Sequence, residues 1–168
     1  MERAYSICLE MLQQRSYDID EQHADRITAI KPDGNLMIVF FADTPKFNVK
    51  NIQMYITIMD EMGIFHSIIV YKDGVTSFTR KAIEQSLEMT FELFSVEDLQ
   101  YNITKHILQP SKFERIEEKE ALEFKNLYGT KFGTLRSDDP ISNFYAYQKG
   151  DVIKITRKNN YVTYRIVK

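Results

Sequence analysis

The sequence predicts two folded units of different class. Residues 1–104 read as an α/β domain, a mostly parallel sheet with covering helices. Residues 105–168 read as a small α+β domain built on an antiparallel hairpin. Three observations predict this. First, the apolar runs 36–41, 64–71 and 89–94 are separated by segments with helical spacing, the pattern of strands joined by crossover helices. Second, residues 151–157 and 161–167 alternate with a period of two around Lys158-Asn159-Asn160. Third, charge is unevenly divided: residues 141–168 carry six basic side chains against Asp151 alone, a net of +5, whereas residues 1–140 carry a net of −7.

Taken in order, Ala4, Ile7, Cys8, Met11 and Leu12 recur at helical spacing and define an amphipathic first helix. Cys8 falls on its apolar side and reads as a buried structural thiol. The stretch 17–30 is polar and is expected to hold a second short helix. Pro32-Asp33-Gly34 is a turn. The run 36–41 is six residues long, with that turn before it and Pro45 behind it, so it is expected as a strand buried on both faces. Val49, Ile52, Ile56 and Met59 share one face of a helix ending at Gly63. The run 64–71 is the next strand, closed by Asp73-Gly74. Thr76 or Ser77 caps a third helix with Ile83 and Leu87 on its apolar side. The run 89–94 is the third strand, and Ser95 with Asp98 has capping-box spacing.

Beyond Pro110, residues 117–128 form a charged helix stopping at Gly129. Ser137-Asp138-Asp139-Pro140 starts another, with Pro140 at its first position. The hairpin closes the chain. Asn tolerates left-handed backbone angles, which suits the tight turn at Lys158-Asn159-Asn160. One of its strands, left as an edge, could pair with the backbone of a partner.

The composition excludes several classes. With 168 residues, 43% of them hydrophobic, the chain can bury a core without staples. A formal net charge of −2 argues against a surface that grips nucleic acid or anionic lipid throughout. The single cysteine allows no internal disulfide and points to a reducing compartment. No stretch approaches the length of a membrane helix, so no membrane partner is expected. The opening Met1-Glu2-Arg3-Ala4-Tyr5 lacks signal-peptide layout. Asn102-Ile103-Thr104 matches a glycosylation acceptor and is read as coincidence.

Nothing in the sequence builds catalytic chemistry. The six glycines form no phosphate loop. His23, His66 and His106 are scattered, without a second ligand at metal-binding spacing, so neither metal nor cofactor is expected. A nuclease of this strand-helix layout is the alternative. It needs an acid near one strand and an acid-x-lysine triplet on the next, because Mg²⁺ takes oxygen ligands. Asp33 could supply the first acid, but the triplet is Val70-Tyr71-Lys72, and valine cannot hold a cation. Glu117, Glu118, Glu120 and Glu123 read as a solvated helix face.

The C-terminal motifs form an ordered series: Asn102-Ile103-Thr104-Lys105-His106, Leu108, Pro110, Arg136, Asp139-Pro140, then 149–157 from Lys149-Gly150-Asp151 and 161–167 from Tyr161-Val162-Thr163. The series resembles the C-terminal assembly domain of the RNA polymerase subunit called H in archaea and, in eukaryotes, the fifth-largest subunit shared by nuclear RNA polymerases I, II and III. Arg15-Ser16-Tyr17, 36–41, Pro45-Lys46, Ile68-Ile69-Val70 and Gly74-Val75-Thr76 resemble the N-terminal jaw domain of the eukaryotic type.

The resemblance implies a non-catalytic polymerase subunit whose second domain docks on the largest subunit while the first faces downstream DNA. It places Thr76, Ser77, Arg80 and Lys81 near DNA, in weak contact that ignores sequence. It places His106, Pro110, Arg136, Asp139, Pro140, Tyr145, Lys149, Gly150, Lys154, Arg157, Tyr164 and Arg165 toward other subunits. Asn143 stands where the family usually has Arg, Ala146 for Gly, Lys112 for His and Ser77 for Pro. The hairpin turn and the segment between Tyr17 and Leu36 are shortened. Such compaction suits a reduced eukaryotic parasite, and hence a nucleus, or a large DNA virus, and hence a cytoplasmic viral factory or virion.

Overall fold

The computed structural model describes residues 1–86, 88–129 and 131–168. Leu87, expected on the apolar side of the third helix, lies outside the described residues. The chain divides into two compact units, Met1–Asn102 and Ile103–Lys168.

In unit 1, helix α1 (Glu2–Gln14) is followed by β1 (Asp18–Gln22), β2 (Arg26–Ile30), β3 (Leu36–Ala42), α2 (Val49–Met62), β4 (His66–Tyr71), α3 (Ser77–Glu84) and β5 (Thr90–Ser95). The strands form one sheet in the order β1-β2-β3-β4-β5. β3 to β5 run parallel, as expected of helix-linked strands. β1 and β2 pair antiparallel with each other and with β3.

The expected second short helix over 17–30 is therefore wrong, and the sheet is mixed, not mostly parallel. The physical reason lies in burial. β1 is an edge strand with four of its five residues exposed, so its composition is polar and gives no strand signal. In β2, by contrast, Ile27, Thr28 and Ala29 are all buried. Thr28 is accommodated because its Oγ1 accepts from the Glu21 N–H at 3.2 Å and donates to Asp20 Oδ2 at 3.4 Å.

The run 36–41 is buried on both faces, and its alternation sorts the helices. Phe40 stacks on Tyr55 of α2 at 4.0 Å, whereas Phe41 stacks on Tyr5 of α1 at 4.8 Å. α1 thus covers one face of the sheet and α2 the other. α2 opens with a reciprocal cap: Asn48 Oδ1 accepts from the Lys50 N–H at 2.9 Å, and Asn51 Oδ1 accepts from the Asn48 N–H at 3.0 Å. It stops at Gly63, which adopts φ 64°, the left-handed conformation glycine enters at least cost. Burial pushes the Cys8 thiol up to about 12, so it is an inert part of the core.

In unit 2, a 3-10 turn (Ile103–Lys105) leads to β6 (Lys112–Arg115), α4 (Glu118–Tyr128), β7 (Thr134–Leu135), α5 (Pro140–Tyr145), β8 (Val152–Thr156) and β9 (Val162–Val167). The sheet order is β6-β8-β9-β7. β8 and β9 are the expected antiparallel hairpin. The Arg157 N–H donates to the Tyr161 carbonyl at 2.9 Å across the turn, and Asn160 sits at φ 60°.

The hairpin is less open than expected. β6 pairs antiparallel along β8, and β7 pairs parallel with the end of β9. Among the described residues, the sheet edges are β6, the two-residue β7 and the start of β9. Sequence reading missed β6 and β7 because strands of four and two residues are too short to show a period. Leu135, Ile141, Tyr147, Ile153, Ile155 and Val167 make one small core, on the α5 side. Ile116, Ala121 and Val152, with Phe124, Phe132 and Tyr164, make another under α4.

Candidate nucleic-acid and subunit interfaces

In unit 1 the expected DNA-proximal residues cluster at the start of α3. Thr76 is its N-cap: Oγ1 accepts from the Thr79 N–H at 3.1 Å and lies 2.8 Å from Thr79 Oγ1. Thr79 is fully buried, which anchors the turn, while Thr76, Ser77, Arg80 and Lys81 are exposed. Phe78, between them, is 71% exposed. Sequence reading passed it over, although an aromatic inside a Thr-Ser-x-Thr-Arg-Lys stretch was visible.

A buried charged group in the same unit was also missed. Arg15, at the C-cap of α1, makes two hydrogen bonds of 2.8 Å to the Glu92 carboxylate on β5. His66 Nε2 lies 2.7 Å from Glu92 Oε1, the oxygen that also accepts from Arg15 Nη1. Burial raises the Glu92 pKa, but the Arg15 charge and the His66 and Arg15 hydrogen bonds outweigh it, leaving a net shift below the ordinary value. The cluster ties α1 to the sheet. It had no sequence signal, because its members are separated by 77 and 26 residues.

The expected subunit-facing residues of unit 2 fall into two groups. The first maintains the unit itself. Arg136 pairs with Asp138, Nε to Oδ1 at 2.7 Å, and its carbonyl accepts from Ser142 Oγ at 2.7 Å. Asp139 caps α5 by accepting from the Ile141 N–H at 2.8 Å, with Pro140 next in line. Tyr145 is half-buried among Phe113, Phe144 and Tyr147, with ring centroids 6.1, 5.4 and 5.3 Å away. Burial raises its pKa, against a hydrogen bond with Thr104. The Gly150 carbonyl accepts from Lys125 Nζ at 2.6 Å, with φ 95° at the glycine. Tyr164 packs on Phe124 at 4.5 Å, and Arg165 reaches the Thr134 carbonyl at 2.9 Å.

The second group is available to a partner. Lys149, Arg157 and His106 are exposed, while Pro110 and Lys154 are partly so. His106 Nδ1 accepts from the Leu108 N–H at 3.3 Å, a local structural role. Beside it, Ile107 and Leu108 are 77% and 84% exposed. Lys158 Nζ donates to the Ile107 carbonyl at 2.8 Å, so these side chains project next to the hairpin turn. Only Leu108 had been singled out from sequence, and on motif grounds.

The nuclease alternative fares poorly on geometry. Asp33 is an exposed turn residue accepting from the Asn35 N–H at 3.1 Å. Val70 is fully buried in β4, and Lys72 Nζ contacts Asp43 at 3.2 Å. Among the described residues, no three His, Cys, Asp or Glu side chains come together to hold a metal ion.

With the geometry established, comparison with known proteins gives the class. The family described as RNA polymerase Rpb5, C-terminal domain, matches residues 101–167, which is unit 2 almost end to end. The subunit of Dictyostelium discoideum named for DNA-directed RNA polymerases I, II, and III, rpabc1, is 35% identical over 138 residues, covering 76% of this chain and 70% of its own length. A protein of Invertebrate iridescent virus 6, named as a DNA-directed RNA polymerase subunit, 454R, is 44% identical over 108 residues, covering 57% of this chain and 58% of its own. The counterpart named RPABC1 in Caenorhabditis elegans is 27% identical over 187 aligned positions, covering 99% of this chain and 89% of its own. The chain therefore belongs to the Rpb5 family of DNA-directed RNA polymerase subunits. None of these relatives supports the nuclease alternative.

Proposed function

We propose that this chain is a non-catalytic subunit of a multisubunit DNA-directed RNA polymerase. Unit 2 is the assembly domain, docked on the largest subunit. Unit 1 is the jaw-side domain beside downstream DNA. The observation that carries this reading is the family match over residues 101–167, on the unit whose surface leaves Ile107 and Leu108 uncovered. An interface core of that kind is apolar with a polar rim, and Lys149, Arg157 and His106 supply polar groups on the same unit.

On unit 1, the exposed start of α3 offers free backbone N–H groups, the positive end of the helix dipole, and Arg80 and Lys81. Phosphate contacts of that kind position a protein without reading sequence. The polymerase works in a nucleus or, where the gene is viral, in a viral factory or virion.

The test is the mass composition of the native complex isolated through this chain. Stoichiometric very large polymerase subunits are expected. A chain that isolates alone and cleaves DNA when Mg²⁺ is added would overturn the reading.

A further inference from the structure

The two edges of the unit 1 sheet are built differently. β1, at one end, carries Asp18, Asp20 and Glu21, and its register against β2 shifts between Ile19 and Glu21. Charged side chains and a bulge keep an edge strand from pairing with foreign backbone. β5, at the other end, has neither safeguard. It holds unbroken register with β4 from Thr90 to Ser95. Its one charge, Glu92, is taken up by Arg15 and His66. The Thr90 N–H donates to the Phe65 carbonyl at 2.8 Å, and the Val96 N–H donates to the Tyr71 carbonyl at 2.9 Å. Backbone groups of alternate residues point to opposite sides of a strand, so Thr90, Glu92 and Phe94 pair with β4. Phe91 and Leu93 therefore direct their N–H and C=O groups outward, where none of the described strands lies.

What surrounds the edge defines what fits it. Phe91 and Leu93 are partly exposed where they pack against the α2-side core. Phe65, 61% exposed, stands two residues before Ser67, the β4 partner of Phe91, and so falls at the end of the same face. Acids lie at both ends of β5: Glu84 and Glu88 before it, Glu97 and Asp98 after it. All four are exposed, and none makes an ion pair among the described residues. Between Lys81 and Lys105 the chain holds no Lys or Arg. Arg15 and His66, which reach β5 from α1 and β4, are bound to Glu92 on the opposite face. Such acids repel phosphate, so a nucleic acid does not suit this edge. An open row of backbone groups, an apolar strip and acids at both ends match an extended peptide, apolar on alternate residues and basic at its ends.

We propose that the outer edge of β5 accepts an added strand from another polypeptide, an extended segment with alternating apolar side chains and Lys or Arg at both ends. Phe91 and Leu93 supply the backbone pairing and Phe65 the apolar anchor. Glu84 and Glu88 at one end, and Glu97 at the other, supply the charges that the basic ends meet. The Arg15, Glu92 and His66 cluster serves this edge by drawing the only charge of β5 away from it. The acceptor edge lies in unit 1 and does not rest on the assembly role of unit 2.

The experiment uses the full chain in solution as wild type, Leu93→Pro, or Glu88→Gln with Glu97→Gln. The probes are a short peptide of alternating Val and Thr with paired Lys at both ends, the same peptide with Glu in place of Lys, and the Lys peptide with its central amides N-methylated. Binding and amide exchange are read residue by residue by NMR. Proline at position 93 removes an outward N–H and no ladder bond, so the fold is expected to survive. The Lys peptide should slow exchange at Phe91 and Leu93 in the wild type. Its binding should weaken several-fold in Leu93→Pro and in the double Gln variant, and N-methylation should abolish it. The Glu peptide should not bind. If the Lys peptide leaves the Phe91 and Leu93 amides unprotected, or binds equally well when N-methylated, β5 is no acceptor edge, whether or not Leu93→Pro folds. If the Glu peptide binds as tightly as the Lys peptide, the basic partner is refuted.

Discussion

Unit 1 and unit 2 bury their apolar residues in different ways. Phe47, Met11, Met37 and Met59, each no more than 1% exposed, all belong to unit 1. Its β3 is enclosed between α1 and α2. Unit 2 spreads its burial over two small clusters on opposite faces of a four-stranded sheet. It leaves Ile107, Leu108, Leu122, Leu127, Tyr128 and Tyr161 each more than half exposed. A small unit buries a smaller share of its surface, so the two units differ in what completes them. Unit 1 also leaves Met54, Phe65, Phe78 and Tyr101 more than half exposed, but it has the larger interior, whereas unit 2 exposes six such side chains on fewer residues.

The largest expected effect tests the self-sufficiency of unit 1. Replacing Glu92 with Ala takes from Arg15, whose side chain is 4% exposed, the carboxylate that accepts two of its hydrogen bonds. Breaking one partner of such a group costs about 3–5 kcal/mol. Urea denaturation of the free chain, resolved by hydrogen exchange in β4 and β5, should show this loss in unit 1 and little change in unit 2. A loss under 1 kcal/mol, on the order of a tenth of total stability, would remove the cluster from the account. Acid should act similarly. The folded Glu92 pKa is depressed below its unfolded value, so its contribution is present above the unfolded value near 4.5 and fades as pH falls through the folded one. Unit 1 is therefore expected to lose protection below pH 4.5 in the wild type. In Glu92→Ala that part of the pH dependence should be missing.

The next prediction concerns the incompleteness of unit 2. Ile107→Ser combined with Leu108→Ser changes side chains that are 77% and 84% exposed. The free chain should keep its stability within about 0.5 kcal/mol, as surface substitutions do. Association with the remaining polymerase subunits should weaken by about 2 kcal/mol, or roughly 30-fold. A reconstitution titration measures this. Unchanged association would show that these side chains are simply solvated.

Legibility in the sequence followed burial. The runs 36–41 and 64–71 were readable because a two-sided core demands continuous apolar residues, and both are internal strands of the observed sheet. The caps at Thr76 and Asp139 and the left-handed stop at Gly63 were readable because they depend on local chemistry alone. β1 was not, since an edge strand facing water has the composition of a loop. Arg15, Glu92 and His66 meet across separations of 77 and 26 residues, from a helix end and two neighbouring strands. No single stretch of sequence could reveal them. Several residues assigned to partners by motif, Tyr145, Arg136 and Arg165 among them, also shape unit 2 itself.

A smaller and more even effect is expected at the caps. Thr76→Ala and Asp139→Ala each remove a side-chain acceptor from a helix start, worth about 1 kcal/mol. Hydrogen exchange should show each loss confined to its own unit, α3 in one and α5 in the other. Spread of either loss into the other unit would mean that the two do not unfold independently.

The smallest expected effect is a gain, and it separates two left-handed positions within unit 2. Ala146 closes α5 at φ 54° and Asn160 closes the hairpin turn at φ 60°. An alanine there sets its Cβ against the following carbonyl, at about 1–2 kcal/mol, whereas asparagine reaches this region more readily. Glycine removes the clash but adds freedom to the unfolded chain, which offsets part of the benefit by up to about 1 kcal/mol. Ala146→Gly should therefore stabilise unit 2 by about 0.5–1 kcal/mol, and Asn160→Gly by a few tenths at most. The Ala146 N–H bonds to Asn143 at 3.1 Å and the Tyr147 N–H to Ser142 at 2.9 Å, and both involve backbone that glycine preserves. If urea midpoints rise equally for the two variants, the strain at Ala146 is already relieved by the turn around it. If the midpoint of Ala146→Gly falls, the methyl group contributes more by packing in unit 2 than it costs in backbone strain.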